Sequence, residues 1–486
     1  MSRQAEIDDL VGQAGRGRVS DSAYDVGWLA RLGAADTTLS EGALEWLRRF
    51  QLPDGTWGAP HLRYHHDRAI CTLSAITALA LHGDQTDRPR IEAARPGLLS
   101  SLCQLDTDIA GETIGFEFLA PALLGQARQL RLVGPEVDDV LARLCAYRER
   151  KLAPLPPAVV SNRMALSHSA ELAGHDDMHL LDLDNMLAAN GSVGFSPAAT
   201  ALYVTAVEKN EQALSYLARM AGEDGGVPNV GPIDVFEAAW TLWNLDLAAS
   251  VPRGHERLIS LLHDAWTPGR GASFGAGFTP EDGDDTAMVY EVLARCGAPV
   301  DMDSVLAYAG PDHFYTWSTE RNSSLSTNIH ALGALRADGV PWDDPLTRRV
   351  LGYLAGRQYP GGFWVDKWHA SPYYPTAHAV LAGVESADDM FRRAVDWLVV
   401  SQRPDGSWGH FLSTAEETAY CLQALVIARR CGESVPEDVV DRGYRWLAGH
   451  ADGPYPWLWI GKCLYSPDVV VRSAVLSALL LVEEDR

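Results

Sequence analysis

Three aspartates lie within four positions, immediately before an apolar stretch that predicts the start of a helix. Asp282, Asp284 and Asp285 precede the sequence TAMV at 286–289. One aspartate here would have an ordinary role, because its carboxylate accepts hydrogen bonds from free amides and suits the positive end of the helix dipole. Three exceed what capping requires, and like charges at this spacing favour partial neutralisation. A carboxylic acid that keeps its proton can donate it, so the cluster predicts general-acid chemistry.

Composition limits the partners of such an acid. The chain has 486 residues, 47% of them hydrophobic, which is enough for about three domains with a large buried core. Its net charge of −24 argues against nucleic acid or an anionic membrane surface as a partner. The seven cysteines form no CxxC pair, which argues against a disulfide framework or a zinc site of cysteine pairs. Neither a signal peptide nor a transmembrane segment is recognisable, so we expect a cytoplasmic protein.

Two distant segments share one spacing and predict the elements that position the acidic cluster. ALEWLRRFQLPDGTWG begins at Ala43 and AVDWLVVSQRPDGSWG at Ala394, and each predicts a helix, a Pro-Asp-Gly turn, a tryptophan and a second helix. Weaker copies lie between them, and little of the chain alternates with period two. Because such helix pairs bury their faces only against neighbours, the sequence predicts an all-α fold of two α/α-barrel domains. An α-solenoid that serves as a binding surface is the alternative. We interpret Trp57 and Trp408 as packing residues of the turns rather than ligand platforms.

The acidic cluster also supports a resemblance to a known family. DGDDTA resembles the DxDDTA motif of class II terpene cyclases, which include squalene–hopene cyclases and copalyl diphosphate synthases, and the PDG-x-W-G turns resemble the QW motifs of that family. Further segments are similar along the whole chain, among them SAYDVGWLARL at 22–32, GFEFLAPAL at 115–123 and WIGKCLYSP at 459–467. The resemblance implies a β domain of residues 1–32 and 251–486 and an inserted γ domain of residues 33–250. Neither a DDxxD motif nor an NSE-type motif is found, so no class I α domain is expected and the diphosphate should stay on the product.

The resemblance implies roles for five residues at the reaction centre. Asp284 would be the general acid that protonates the terminal double bond of a linear prenyl diphosphate, with Asp282 and Asp285 holding the proton and stabilising the carboxylate left behind. His168 and Asn229 match a histidine–asparagine pair that holds the water acting as base in plant ent-copalyl diphosphate synthases. The sequence around His168, LSHSAEL, departs from the family's HSLEG.

The remaining implied sites hold the substrate. Lys151 and Lys462 are the candidates for binding the diphosphate, and Lys367 and Arg321 are weaker candidates for which a solvated surface position is the better interpretation. Aromatic rings stabilise carbocations without quenching them. The candidates for this role, roughly half of which we expect to be core residues instead, are Tyr315, Trp317, Trp368, Tyr373 and Tyr374. A magnesium ion would be held by Asp108 and Glu112 in QLDTDIAGETIGFE.

The favoured reaction is bicyclisation of geranylgeranyl diphosphate to a copalyl-type diphosphate, with the His–Asn pair favouring the ent series. A farnesyl diphosphate cyclase making drimenyl diphosphate is the first alternative, and a hydroxylated or rearranged bicycle is another. Two other classes stay open from the residues alone. An α/α-barrel glycoside hydrolase would also use paired carboxylates, and in a non-catalytic helical-repeat protein the acidic cluster would be only a helix cap.

Overall fold

The computed structural model of the chain describes residues 3–174, 177–278, 280–318, 320 and 322–486. Helices dominate these residues, as the sequence predicts. The α-helices are α1 (Arg3–Gln13), α2 (Ala23–Ala30), α3 (Thr37–Arg49), α4 (His65–His82), α5 (Arg88–Leu102), α6 (Phe116–Gln129), α7 (Asp138–Leu152), α8 (Pro197–Ala206), α9 (Glu211–Met220), α10 (Asp234–Leu247), α11 (His255–Ala265), α12 (Gly283–Arg295), α13 (Asp303–Leu306), α14 (Leu325–Ala337), α15 (Pro345–Ala355), α16 (Tyr373–Gly383), α17 (Asp389–Val400), α18 (Ala415–Arg430), α19 (Glu437–Ala448) and α20 (Asp468–Glu484).

Shorter elements complete the described chain. Two antiparallel strands, β1 (Trp459–Ile460) and β2 (Leu464–Tyr465), form a small hairpin. The 3₁₀ segments are Gly33–Ala35, Gln85–Asp87, Leu105–Thr107, Pro135–Val137, Ala165–Ala173, Met178–Leu180, Leu183–Asn185 and Val384–Ser386. None of the helices in the described ranges combines the length and the apolar composition that crossing a bilayer requires.

The repeated turns fasten each helix pair through a buried tryptophan. Trp57 and Trp408 are fully buried, and their indole nitrogens donate to the carbonyl oxygens of Leu47 and Leu398 at 2.8 and 2.7 Å. Trp364, in the weaker copy, donates in the same way to Leu354 at 2.8 Å. The packing interpretation of these tryptophans is therefore confirmed.

Six helices form a closed inner ring in the domain that carries the acidic cluster. α10, α12, α14, α16, α18 and α20 each pack against the next, and α20 packs back against α10. An outer layer of α1, α11, α13, α15, α17 and α19 covers this ring. This is the β domain, an α/α barrel, and the prediction of an α/α-barrel architecture is confirmed rather than a solenoid.

A second, smaller ring forms the γ domain. α2, α4, α6, the 3₁₀ segment Ala165–Ala173 and α8 pack in a closed order, with α3, α5, α7 and α9 outside them. The hydrophobic core of this domain runs from Ala23 to Val227 and includes Cys463, whereas the β-domain core takes residues from Ile7 to Val19 and from Val230 onward, together with Phe195.

The predicted domain boundaries at residues 32 and 250 are therefore wrong, and each assigns one helix to the wrong domain: α2 belongs to the γ domain and α10 to the β domain. The chain enters the γ domain before α2, which packs on α3, α4 and α8, and leaves it before α10, which packs on α11, α12 and α20. Every residue of α2 is buried, as is most of α10. A helix with no polar face gives no pattern from which its neighbours can be read, so the sequence did not assign these two helices to the right ring.

Candidate active site

Asp282 organises the start of α12. It is the residue that caps the helix, and its Oδ1 accepts hydrogen bonds from the backbone amides of Asp284 and Asp285 at 3.0 and 2.9 Å. Burial raises the pKa of Asp282 to about 7. Burial, together with the charges of Asp282 and Asp284, raises the pKa of Asp285 well above its usual range. The cluster therefore retains protons at neutral pH, because burial disfavours the charged forms and neighbouring carboxylates repel.

Asp284 is the member of the cluster that a substrate can reach. Its side chain is 15% exposed, whereas Asp282 and Asp285 are 2% and 7% exposed. Its Oδ1 lies 2.8 Å from Nδ1 of His330 on α14, a ring that is almost fully buried. Nε2 of His330 lies 3.3 Å from Nδ1 of His378 on α16. A proton can therefore lie on Asp284 or on Nδ1 of His330 without movement of a heavy atom.

His378 ends this chain of titratable groups. Its ring stacks on Trp243 at 4.6 Å between centroids, and burial together with His330 and His369 lowers its pKa well below the usual value. A neutral His378 can accept a hydrogen bond at Nδ1 from Nε2–H of His330. His330 then has Nδ1 free to accept the proton of an Asp284 carboxylic acid.

An apolar cavity of about 400 Å³ lies beside the acidic cluster. All three aspartates line it, together with His168 and Asn229 from the γ domain or its exit. Eight of the other twenty wall residues are aromatic, and these are Phe118, Phe236, Phe274, Phe278, Trp317, Trp368, Trp459 and Tyr465. We refer to this space as the inner cavity.

Two of the predicted aromatic residues line the inner cavity and a third does not. Trp317 and Trp368 face each other edge to face, with ring centroids 6.0 Å apart. Tyr373 instead packs in the β-domain core against Trp397, and its hydroxyl donates to the carbonyl of Ser401. The assignment of Tyr373 to the substrate is wrong, because the start of α16 turns it toward the outer helix layer.

The two remaining aromatic candidates lie near the inner cavity without lining it. Tyr374 contacts His378 with ring centroids 4.2 Å apart and accepts a hydrogen bond from Nε1 of Trp240 at 2.9 Å. Tyr315 lines the neighbouring polar cavity. Tyr374 thus supports the histidine chain from inside the ring, and Tyr315 lies nearer the entrance.

His168 and Asn229 both line the inner cavity, and each has a side-chain atom that can accept a hydrogen bond. Nδ1 of His168 lies 2.9 Å from the carbonyl oxygen of Gly194, which makes Nδ1 the donor and leaves Nε2 as an acceptor. Burial and the nearby charge of Lys462 lower the pKa of His168 to about 3, so the ring is neutral. Asn229 is fully buried, its Nδ2 donates to the carbonyl of Cys463 at 3.1 Å, and its Oδ1 has no hydrogen-bond partner among the described residues.

A larger and more polar cavity of about 1220 Å³ adjoins the inner cavity. The two cavities share wall residues that include Phe118, Trp317 and Trp368. The cationic side chains that line the second space, which we call the outer cavity, are Lys151, Arg163, Arg270 and Lys367.

Most of these cations have an acidic neighbour. Lys151 lies 2.7 Å from Glu117 and Lys367 lies 2.9 Å from Glu320. Arg270 lies 3.3 Å from Glu281, whereas Arg163 is exposed and forms no ion pair among the described residues. Lys151 lines the outer cavity, and its role in binding the diphosphate stays a prediction. Arg321 lies outside the described residues.

Lys462 has a different location from the one predicted. Its ammonium group is fully buried and contacts Oε1 of Glu171 at 2.5 Å, Oγ of Ser196 at 2.5 Å and the carbonyl oxygen of His168 at 2.9 Å. It lines neither the inner nor the outer cavity. The prediction that Lys462 binds the diphosphate is wrong, because its three donors are already occupied by groups of the γ domain.

Asp108 does not fit the predicted magnesium site. Its two oxygens accept the backbone amides of His65 and His66 at 3.0 and 2.9 Å and one of them lies 2.7 Å from Nδ1 of His66. It thereby caps the start of α4 and faces neither cavity. Glu112 does line the outer cavity, where burial and the charge of Glu117 raise its pKa. Glu112 therefore faces the outer cavity without Asp108, and the magnesium site stays a prediction.

His330 and His378 were not predicted from the sequence. Both lie in segments that are recognisable only as helix starts, STNIHALGALRADG and SPYYPTAHAVLAGV. The signal that was available is an ionisable side chain inside a helix whose every face is apolar or small, because such a helix belongs to the inner ring and its polar residues must face the barrel interior.

Known proteins share both the sequence and the arrangement of domains. The family model described as the squalene-hopene cyclase C-terminal domain matches residues 322–457. The chain is 39% identical over 496 residues to the type B diterpene cyclase of Mycobacterium tuberculosis, which covers 98% of both proteins. It is 32% identical to the ent-copalyl diphosphate synthase of a Streptomyces species, over 97% of this chain and 94% of that protein. The solved structure of ent-copalyl diphosphate synthase from Streptomyces platensis aligns with a TM-score of 0.81 and 31% identity over 99% of both chains.

Proposed function

Because the chain belongs to the class II diterpene cyclase and copalyl diphosphate synthase family, we propose that it cyclises geranylgeranyl diphosphate to a copalyl-type diphosphate. The observation that carries this proposal is the continuity of two unlike cavities. The inner cavity is apolar and bears the carboxyl cluster, and the outer cavity is more polar and is lined by lysine and arginine side chains together with glutamates. A molecule with a long apolar chain and an anionic head fits that sequence of environments.

Asp284 is the general acid of this proposal. An alkene is a weak base, so its proton donor must stay protonated in water-poor surroundings and yet be strongly acidic. When Asp284 protonates the terminal double bond, its O–H bond breaks, a C–H bond forms and a tertiary cation remains. The carboxylate that results is stabilised by the positive end of α12, and a proton returned to Nδ1 of His330, 2.8 Å away, would pair with it. Successive double bonds then attack the cation and close two rings.

The acid needs a new proton after each cycle, and the two histidines supply a route once each ring has exchanged its proton from Nε2 to Nδ1, so that Nδ1–H of His378 donates to His330 and Nδ1–H of His330 donates to Asp284. His330 contacts Asp284, and His378 contacts His330. Nε2 of His378 is buried without a partner among the described residues, and the ring borders a small cavity of about 80 Å³ that Glu291 and Glu385 also line. A polar cavity of this size can hold water. It shares no wall residue with the inner or outer cavity, so proton return need not cross the substrate.

Cyclisation ends when the bicyclic cation loses a proton. His168 and Asn229 both line the inner cavity, and in this proposal Nε2 of His168 and Oδ1 of Asn229 accept hydrogen bonds from a water molecule whose lone pair faces the cation. The low pKa of His168, about 3, keeps its ring an acceptor throughout the neutral range and lets the proton pass on to solvent. The aromatic wall stabilises the cation until that step.

The diphosphate is held in this proposal by the chain's own cations rather than through the predicted magnesium ligands. Asp108 is committed to the start of α4, and Glu112 lines the outer cavity without it. The contacts that the outer cavity offers to the diphosphate are Lys151, Arg163 and Lys367.

The test is incubation of the purified protein with geranylgeranyl diphosphate and, separately, with farnesyl diphosphate. Products are treated with phosphatase and identified by mass spectrometry against copalol and drimenol standards. We expect a bicyclic C20 diphosphate. Release of pyrophosphate without a cyclic diphosphate would overturn the proposal, and turnover of the C15 substrate alone would replace geranylgeranyl by farnesyl diphosphate.

A pair of matched variants tests the general acid. Asp284→Asn keeps the shape of the side chain and removes the acidic proton, so turnover should fall about 10²–10⁴-fold. Asp303→Asn changes an exposed aspartate in the first turn of α13 and should leave turnover unchanged. Equal turnover of the two variants, with both proteins folded by circular dichroism, would remove Asp284 from this role.

A further inference from the structure

The γ domain contains a cavity of its own, which we call the γ cavity. Its volume is about 540 Å³, and α2, α4, α6, α7 and α8 contribute to its wall. It shares no lining residue with the inner or the outer cavity. The proposed reaction makes no use of this space.

Arg31 gives the γ cavity a positive charge without a counter-ion. Its Nη1 donates to Oε1 of Gln126 at 3.1 Å, and its guanidinium carbon lies 4.1 Å above the ring of Trp28. Its Nε and Nη2 are buried and have no hydrogen-bond partner, and no carboxylate lies within 4 Å of its nitrogens among the residues that the structure describes. Arg148, which also lines the cavity, is by contrast paired with Asp177 at 2.6 Å.

An unpaired buried cation is costly, because removal from water is not offset by a partner. Burial lowers the pKa of Arg31 to about 10, so the group still carries its charge at neutral pH. That charge is felt by His82, whose pKa is lowered by burial and by Arg31. An anion bound to Nε and Nη2 would supply the missing partner in the forked geometry that guanidinium groups prefer.

A second donor and an apolar wall define the rest of the ligand. Trp28 belongs to the same cavity wall, and its Nε1 is buried beside the hydroxyl of Tyr24. The aliphatic side chains that line the cavity are Leu81, Leu119, Leu123, Leu141 and Leu202. Donors at one place and leucines around them match an anionic head carried on a hydrocarbon chain.

We propose that the γ cavity is a binding site for a single-chain amphipathic anion, whose phosphate or carboxylate head pairs with Arg31 and Trp28 and whose hydrocarbon chain lies against the leucines. This site is separate from the one at which the substrate reacts. A phosphorylated isoprenoid and a fatty acid share this chemistry, and the head group distinguishes them experimentally.

Cys145 provides a reporter, because its partly buried thiol lines the γ cavity. The wild-type protein is labelled with a maleimide in the presence of dodecyl phosphate, dodecanoate or dodecanol, each below its critical micelle concentration, and labelling of each cysteine is followed by peptide mass spectrometry. We expect one or both anions to slow labelling of Cys145 at least about tenfold, the charged head adding affinity that dodecanol lacks. The exposed Cys296 and Cys431 should be labelled at an unchanged rate. The anion that protects identifies the source of the ligand.

Variants and a titration separate this proposal from a general apolar effect. Arg31→Gln should weaken protection of Cys145 about tenfold or more, whereas Arg143→Gln, an exposed position on α7, should not. In the wild-type protein the bound anion should raise the pKa of His82, measured by NMR, because it neutralises the nearby charge of Arg31. Equal protection by dodecanol, no protection by either anion, or a His82 pKa that does not move on saturation would overturn the proposal.

Discussion

The three aspartates of the carboxyl cluster have different roles because their side chains are buried to different extents. Asp282 accepts two amides at the start of α12 and its pKa is raised to about 7, and the pKa of Asp285 is raised well above its usual range. Asp284 is the more exposed carboxyl and contacts His330. The same apolar surroundings that make the cavity suitable for a hydrocarbon thus also hold the protons of the cluster.

The pH dependence of turnover should report on Asp282. Since its folded pKa is about 7, it is protonated and uncharged at lower pH, and as the pH rises through 7 it gains a negative charge beside the carboxylate that Asp284 must become. Proton donation by Asp284 then becomes less favourable, so kcat should fall above about pH 7. Asp282→Asn retains an oxygen for the two amides but has no charge at any pH, so this descending limb should disappear.

The measurement is single-turnover rate against pH for both proteins with geranylgeranyl diphosphate. Asp301→Asn is the control, because Asp301 lies near the surface, its pKa is lowered to about 2, and it does not change charge near neutrality. An identical descending limb in wild type and Asp282→Asn would assign it to another group.

At the scale of elements, the β1–β2 hairpin extends from the β domain to His168 and Asn229, the two residues proposed to hold the water that acts as base. Gly461 lies in the turn of this hairpin, and a Cβ atom built on it would come within 2.3 Å of Nδ2 of Asn229. The absence of a side chain there allows Asn229 to hold its place and leave Oδ1 free. The residue at position 461 therefore affects the final loss of a proton rather than the initial protonation.

Gly461→Ala should change the products more than the rate. Displacement of Asn229 disturbs the water that removes the final proton, while Asp284 and His330, which start the reaction, are untouched. We expect new hydroxylated or isomeric bicyclic diphosphates, measured by mass spectrometry, with substrate consumption within about threefold of wild type. Gly352→Ala is the matched control, because no atom lies within 4 Å of the added methyl group on α15. A product profile equal to that of Gly352→Ala would show that Asn229 does not direct proton loss.

The elements also show how far the sequence could predict this protein. Trp57 and Trp408 were interpretable because a turn, an aromatic residue and a helix recur at fixed spacing, and Asp282, Asp284 and Asp285 because three acids exceed one cap. The roles of Lys462 and Asp108 could not be predicted in this way. A lysine or an aspartate in a polar stretch has the same sequence pattern whether its side chain binds a ligand or is buried against amides and carboxylates of the same protein. Those partners, Glu171 and the start of α4, are contributed by distant segments and are fixed only when the rings close.

For the whole molecule, Lys462 is the buried charge that joins the two barrels. It extends from the β1–β2 hairpin and donates to Glu171, Ser196 and the carbonyl of His168, all in the γ domain. Oε1 of Glu171 also accepts a hydrogen bond from the hydroxyl of Tyr24 at 2.9 Å. The ion pair also fixes the backbone that presents the His168 ring, so association of the barrels and assembly of the active site depend on the same contact.

Lys462→Met should therefore destabilise the entire protein. Removal of one member of a fully buried pair leaves the other as an uncompensated charge, which costs about 3–5 kcal/mol of unfolding free energy. Guanidinium denaturation followed by circular dichroism measures this loss, with Lys209→Met as the control, because an exposed lysine without a salt bridge should cost less than about 1 kcal/mol. The double variant Lys462→Met, Glu171→Gln removes both charges and should recover at least half of the loss. If Lys462→Met is as stable as Lys209→Met, or if the double variant recovers nothing, the buried ion pair does not stabilise the association of the two barrels.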